Sequence, residues 1–462
     1  MQAGGSSERV QQGLLRVERA YEGRWGVRPK SHAHHSATCG LVEWSRCPST
    51  FRWPAWVQQG SQAVASVGTP LGVERITQKA PADAAIEVAR VLRSAPRRIL
   101  DLTPPFVLGC IDADADRLDL FTDALGVGRL FEVRTAWGRV WSNRPVAAIK
   151  FAGLPLVPDP LGWSQMAVAD ELFGEVTPLR GVRVVRPATR VSWRRSRLAV
   201  QSLDTVSSQL SYEGELDDLV EEAAADLKGT ASSIGRWFDG TPTVDLSGGR
   251  DSRLVAAAFL ASGTAITLHS HDAVPGDLVI AKELVGLLGR EVEHRIEHTK
   301  AGGTGAVQMP PGMDAAYAWH EYAEGLRPSS FLLHRTPRTL DVETNVVVGG
   351  VGGEAAHSYY GPLGRVGEPQ GLQSELLRGI ERASEEEDVL KACADRIVRR
   401  HCTGEAVLDP YRQDLFMHVL SVLRRISRSG VPSSAVLDHY YVLEGCAGGV
   451  QRAKGMVFVR PC

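Results

Sequence analysis

The residues best able to do chemistry lie in the run Val244-Asp245-Leu246-Ser247-Gly248-Gly249-Arg250-Asp251-Ser252-Arg253. Gly248 and Gly249 permit backbone angles closed to other residues and let main-chain N–H groups approach an anion. Ser247 and Ser252 add hydroxyl donors. A helix starting near Asp251 aims the positive end of its dipole at the loop. Together these features read as a cradle for phosphate or pyrophosphate. Asp251 would repel phosphate unless a divalent cation lay between them, and Mg²⁺ takes one or two carboxylates plus phosphate oxygens. No Lys precedes the serine, which separates this loop from a Walker A loop. The structural alternative is a glycine turn with Asp251 as a helix cap.

Such a loop needs a strand before it and a helix after it. The pattern predicts a strand at 243–246, a helix at 251–262 ended by Gly263 and a strand at 265–269. A helix at 277–288 ended by Gly289 and strands at 291–296 and 345–348 follow. Strands alternating with helices imply a parallel sheet with helices on both faces. Residues 214–238 carry helical periodicity through Leu216, Leu219, Val220, Ala223 and Ala224 and open this second domain, and 371–445 read as mostly helical. Upstream, 38–205 alternates short apolar stretches with turn signals, as a largely β or layered α/β domain does. Residues 1–37, rich in Gly, Ser, Arg and His, read as a weakly ordered leader.

Composition fits this division. A chain of 462 residues suits roughly two to three domains and needs no disulfides or structural metal to hold its cores. A net charge of −2 gives no global field for nucleic acid. The basic stretches 190–197 and 395–401 mix with apolar residues and read as solvated strand or helix faces. Seven cysteines without a CxxC pair fit a reducing compartment. His32, His34, His35 and Cys39 have no partner pair at zinc-finger spacing. With no long apolar run and no signal core, neither a membrane span nor secretion is expected, which places the protein in the cytoplasm.

The segment Ser247-Gly248-Gly249-Arg250-Asp251-Ser252 resembles the SGGxDS loop of the ATP pyrophosphatase group. The layout is similar to the asparagine synthetase family, with its relatives the β-lactam synthetases and lasso peptide cyclases. Val348-Gly349-Gly350-Val351-Gly352-Gly353-Glu354 resembles that family's second loop, of the form GDGxDE. The resemblance spans roughly 60–462 and is strongest at 243–296 and 345–360.

It implies an α/β protein in two parts. A degenerate Ntn-hydrolase-like layered domain (38–205) precedes an ATP pyrophosphatase domain of the adenine nucleotide alpha hydrolase-like kind (211–462). It implies ATP and Mg²⁺, with Asp251 and Glu354 as metal ligands and catalytic groups. Leu246, Ser247, Gly248, Gly249, Ser252, Gly350 and Gly352 would line the nucleotide site, and Leu268 would hold adenine through main-chain groups. Asp277 resembles the family's acidic residue before its second helix, with an N-cap carboxylate as the structural alternative. Lys454 is the candidate for the family's catalytic Lys, though it precedes the usual position and the chain stops where relatives continue. Val351 replaces an Asp, Glu or Tyr of relatives.

The stretches 120–133, 138–149 and 176–189 resemble the glutaminase domain, yet residue 2 is Gln2. Cys39 would need cleavage before it to act as nucleophile. The resemblance therefore implies an amide-forming ligase that adenylates a small-molecule or peptide carboxylate and uses ammonia or a substrate amine. A homodimer or biosynthetic partner proteins are the protein partners to expect. The alternatives are a nucleotide-binding pseudoenzyme or partner protein of a peptide or natural-product system, and an enzyme adenylating or thiolating another acceptor.

Overall fold

The computed structural model describes residues 4–25, 28–45, 52–163 except 104, 125 and 127, then 172, 175–203, 215–298, 324, 326, 346–349 and 457–458. The chain opens on α1 (Gly4–Trp25), β1 (Lys30–His35), β2 (Gly40–Ser45), β3 (Trp56–Gln59) and β4 (Gln62–Gly68). There follow α2 (Pro81–Ser94), β5 (Phe106–Asp112), β6 (Arg117–Thr122), β7 (Phe131–Thr135), β8 (Gly138–Ser142) and α3 (Pro145–Ala152). β9 (Val182–Val184), β10 (Thr189–Arg194) and β11 (Arg197–Ser202) complete the first part. The second part has α4 (Leu216–Trp237), β12 (Thr243–Asp245), α5 (Arg250–Ser262), β13 (Thr267–His271), α6 (Pro275–Leu287), β14 (His294–Glu297), β15 (Val347–Val348) and β16 (Val457–Phe458).

The first part is built on a six-stranded antiparallel sheet in the order β11-β10-β6-β5-β4-β3. Side chains alternate across a strand, so β5 feeds two cores. Phe106, Leu108 and Cys110 join the α2 stripe of Ala84, Ala85, Val88, Ala89 and Leu92. Val107 and Ile111 pack with Leu118, Leu120 and Val191 on the other face. There Leu41 of the β1–β2 hairpin rests where a Cβ on Gly109 would stand, 2.8 Å away. A three-stranded antiparallel sheet, β8-β7-β9, packs against α3.

Three sequence expectations are corrected in this part. Residues 4–25, expected to be weakly ordered, form α1, which lies on α3. Val17 is buried, and Arg16 donates from Nε to Lys150 O (2.9 Å) and from Nη2 to Phe151 O (3.0 Å). Buried positions four apart, Gly13 and Val17, supply the stripe that composition concealed. Residues 30–35, also in the expected leader, pair with β2 along their whole length. The stretch 190–197 is not wholly a solvated face, because Arg190 turns inward. Its Nε and Nη2 donate to Oδ1 of the fully buried Asp119 at 3.0 and 2.9 Å. Arg117 and Arg93 converge on the other oxygen at 2.7 and 3.3 Å.

The second part carries a five-stranded sheet in the order β14-β13-β12-β15-β16, parallel but for β16. Val244, Leu268 and Val348 share one face and one core with Val255 and Phe259 of α5 and Ala281 of α6. Among the described residues, the other face of β12–β14 carries polar side chains. Thr267 donates to Glu293 (2.9 Å), and His269 lies between Asp245 and Glu297.

α4 joins the two parts. Trp237 meets Trp53 edge-on at 5.5 Å and donates from Nε1 to Glu74 at 2.7 Å. Arg75 reaches Asp226 at 2.6 Å. Gly72 N–H donates to Ser233 Oγ (2.9 Å), whose hydroxyl donates to Glu74 Oε2 (3.1 Å). One core cluster runs from Trp53 and Phe121 through Ile234 and Trp237 to Val244 and Phe259. Among the described residues no helix is long and apolar enough to cross a membrane. The segment 371–445, expected to be mostly helical, lies outside the described residues.

Candidate functional site

β12 ends at Asp245, and after the loop the chain re-enters regular structure in α5 at Arg250, one residue earlier than expected. The loop is closed by its serines. Ser247 N–H donates to Ser252 Oγ at 3.0 Å, and the two hydroxyls lie 2.8 Å apart. Gly249 N–H donates to Ser247 Oγ at 3.1 Å. Gly249 is the N-cap residue of α5, with φ −68° and ψ 148°, and no side chain caps the helix. The orphan N–H groups of the first turn therefore keep their affinity for an anion. Asp251 stands in that turn.

Neither loop glycine has a positive φ, so unusual backbone angles are not what they supply. Gly248 is needed for close approach instead. A Cβ there would stand 2.6 Å from Asp277 Oδ1 and 2.9 Å from Ile280 Cδ1. Asp277 lies within the first turn of α6, whose N-cap is Val274, so it is not the cap that the structural alternative required. Its carboxylate rests against the loop, and with Asp251 it gives the loop two neighbouring carboxylates.

β13 lies on one side of β12 and β15 on the other, which makes the carboxyl end of β12 a topological switch point. In open parallel sheets ligands bind outside the strand ends at such a point. Thr243 pairs with Val347 and Val244 with Val348, so Asp245 and Gly349 come side by side. A Cβ on Gly349 would stand 3.2 Å from Asp245 Oδ2. The first loop and the start of the second thus leave adjacent strands at the same edge. Gly350, Val351, Gly352, Glu354 and Lys454 lie outside the described residues. Among the described residues no group of three or more His, Cys, Asp and Glu is placed to hold a metal ion.

One candidate is placed differently from expectation. Leu268 is fully buried, and its N–H donates to Glu293 O at 2.8 Å, so that group is taken up within the sheet. Main-chain contact with a base would have to come from further along β13. Cys39 lies just before β2, half-buried, with Sγ 3.1 Å from Ser36 Oγ. Burial, with the nearby Asp116 and Asp119 carboxylates, holds its thiol above the ordinary range, opposite to what a nucleophile needs. Cys110 is fully buried and its thiol is pushed up to about 12 by burial.

Asp245, His269 and Glu297 make a contact that the sequence alone does not show. Asp245 accepts from His269 Nδ1 at 2.9 Å, while His269 Nε2 is 3.3 Å from Glu297. The bond to Asp245 raises the His269 pKa, with the Asp245 and Glu297 charges adding to it and burial opposing. The signal is an Asp at the end of a short strand, two positions before the loop.

No family model matches the chain, and no curated protein matches it. Among solved structures it is similar to the glutamine phosphoribosylpyrophosphate amidotransferase from B. subtilis complexed with ADP and GMP. The identity is 8% over 56% of this chain and 62% of that one, with a TM-score of 0.27. It is likewise similar to a structure described as the allosteric regulatory enzyme of purine biosynthesis, at 8% identity over 63% of this chain and 77% of that one, TM-score 0.27. Likeness at that level carries no argument about activity, and the site is read from its own geometry.

Proposed function

We propose that the chain is an ATP-dependent amide-forming ligase that adenylates a carboxylate and passes the acyl group to an amine, releasing AMP and pyrophosphate. The supporting observation is the 247–252 loop at the switch point of a parallel sheet, with the uncapped start of α5 behind it and Gly349 beside Asp245. The loop's own hydroxyls now bond Ser247 N–H and Gly249 N–H, the donors an anion would take. Pyrophosphate oxygens would replace Ser252 Oγ and Ser247 Oγ as acceptors there, at little cost in reorganisation.

The donor set suits magnesium. Asp251 and Asp277 flank the loop, and a hard cation takes carboxylate and phosphate oxygens. Asp251, together with Glu354 by its resemblance, would hold the ion, which supplies neutralisation of phosphate charge. A carboxylate oxygen of the substrate attacks the α-phosphorus, and the bond to the bridging oxygen breaks. Pyrophosphate leaves with that electron pair. The amine then attacks the acyl carbon, AMP departs, and the amine gives up a proton. Small-molecule or peptide carboxylates and amines both fit this scheme.

Separating the nucleotide products after incubation with ATP, Mg²⁺ and ¹⁸O-labelled carboxylates tests the reading. Labelled AMP is the expected product, whereas ADP with inorganic phosphate would refute it. Val351, an apolar residue where relatives carry Asp, Glu or Tyr, favours a second reading, a nucleotide-binding pseudoenzyme. That reading requires ATP binding with neither product formed.

A further inference from the structure

We propose that Ser270 and His294 are positioning residues, a two-step latch that sets the orientation of the first N–H donor in the 247–249 loop; the inference rests on the nucleotide reading above. Leu246 is the last residue before the loop and is buried. β13 grips both of its backbone polar groups. Its N–H donates to His269 O at 2.7 Å, and its carbonyl accepts from Ser270 Oγ at 2.6 Å. Ser270 Oγ also lies 2.9 Å from His294 Nε2 on β14.

A hydroxyl has one proton to give. Ser270 gives it to Leu246 O, so Nε2 of His294 carries a hydrogen and donates to Ser270. The chain of donation runs from β14 through β13 to the residue before the loop. Leu246 C=O and Ser247 N–H belong to one planar peptide unit. Fixing the carbonyl therefore fixes the direction of the Ser247 N–H, the first donor of the anion cradle. Ser270 is buried, so water is poorly placed to replace its hydroxyl, and an unmet Leu246 carbonyl would be costly. A freed peptide plane would rotate to find another partner and take the Ser247 N–H out of line.

The test is calorimetric titration of the full chain with Mg²⁺-ATP, and separately with Mg²⁺-pyrophosphate. Ser270→Ala and His294→Leu are expected to weaken both ligands about 5- to 20-fold, the effect of one mispositioned hydrogen bond. His294→Gln keeps an amide N–H near the place of Nε2 and is expected to restore binding to within about threefold. A role in stability alone would not give that recovery at the level of affinity. Thermal unfolding of the same samples verifies that each variant is folded. If Ser270→Ala yields no folded protein, Ser270→Cys, similar in size with a weaker donor, carries the same expectation. Affinities equal to wild type in Ser270→Ala and His294→Leu would overturn the latch, as would a His294→Gln variant as weak as His294→Leu. Absence of any wild-type binding would sink the nucleotide reading, and the latch with it.

Discussion

Gly248 and Asp277 are the closest side-chain-to-backbone fit at the loop, and that fit makes the glycine testable. Gly248→Ala would force the added methyl against Asp277 Oδ1 and Ile280 Cδ1. The loop or the start of α6 must then shift. The expected cost is about 1–3 kcal/mol of stability, with Mg²⁺-ATP binding weakened about tenfold. Wild-type affinity in that variant would show that the contact is not needed for the site. Asp119 makes a different test. It is the one fully buried carboxylate beneath Arg93, Arg117 and Arg190, and removing it leaves guanidinium groups facing one another. Asp119→Ala is expected to cost about 3–5 kcal/mol in chemical denaturation. A loss below about 1 kcal/mol would mean that solvent reaches the arginines readily.

His269 gives a pH dependence with a definite sign. Its folded pKa is raised, chiefly by the bond to Asp245. The group therefore adds stability in full below the ordinary histidine pKa near ~6.5, and that increment disappears as pH rises through the raised folded value. Asp245 and Glu297 are substantially exposed, so the increment is about 0.5–1 kcal/mol. The stability gap between wild type and His269→Gln should be larger at pH 5.5 than at pH 9. An equal gap at both would deny the ionic part of the interaction.

At the scale of elements, the reading from sequence was strongest where a pattern is local. The strand, glycine loop and helix around 243–262 are contiguous, and each boundary moved by only a residue or so. α1 was missed because its buried stripe is thin and its glycines and serines mimic a disordered leader. The Asp119 cluster was illegible for another reason. Arg93 comes from α2, Arg117 and Asp119 from β6 and Arg190 from β10, so only the sheet brings them together. The latch at Leu246 is equally non-local, since β13 and β14 supply it. α4 is the element that most needs testing. It was read as the opening helix of the second domain, yet Trp237 is buried against Trp53 and bonded to Glu74 of the first part. Trp237→Ala should cost about 3–5 kcal/mol and loosen both parts together. Separate unfolding of the two parts in the wild type would contradict a shared core.

Over the whole molecule, an antiparallel part and a parallel part share a core through α4, and the parallel part sets the 247–252 loop, with Gly349 beside it, at its switch point. On the proposed function, this edge cleaves ATP between the α- and β-phosphates, with Asp251 essential. Pyrophosphate release from Mg²⁺-ATP, measured with a panel of carboxylates, tests it most directly. The expected result is release that depends on a carboxylate and falls at least about a thousandfold, roughly 4 kcal/mol of barrier, in Asp251→Ala. Release without any carboxylate, equal release from Asp251→Ala, or no release from wild-type protein that still binds ATP would contradict it.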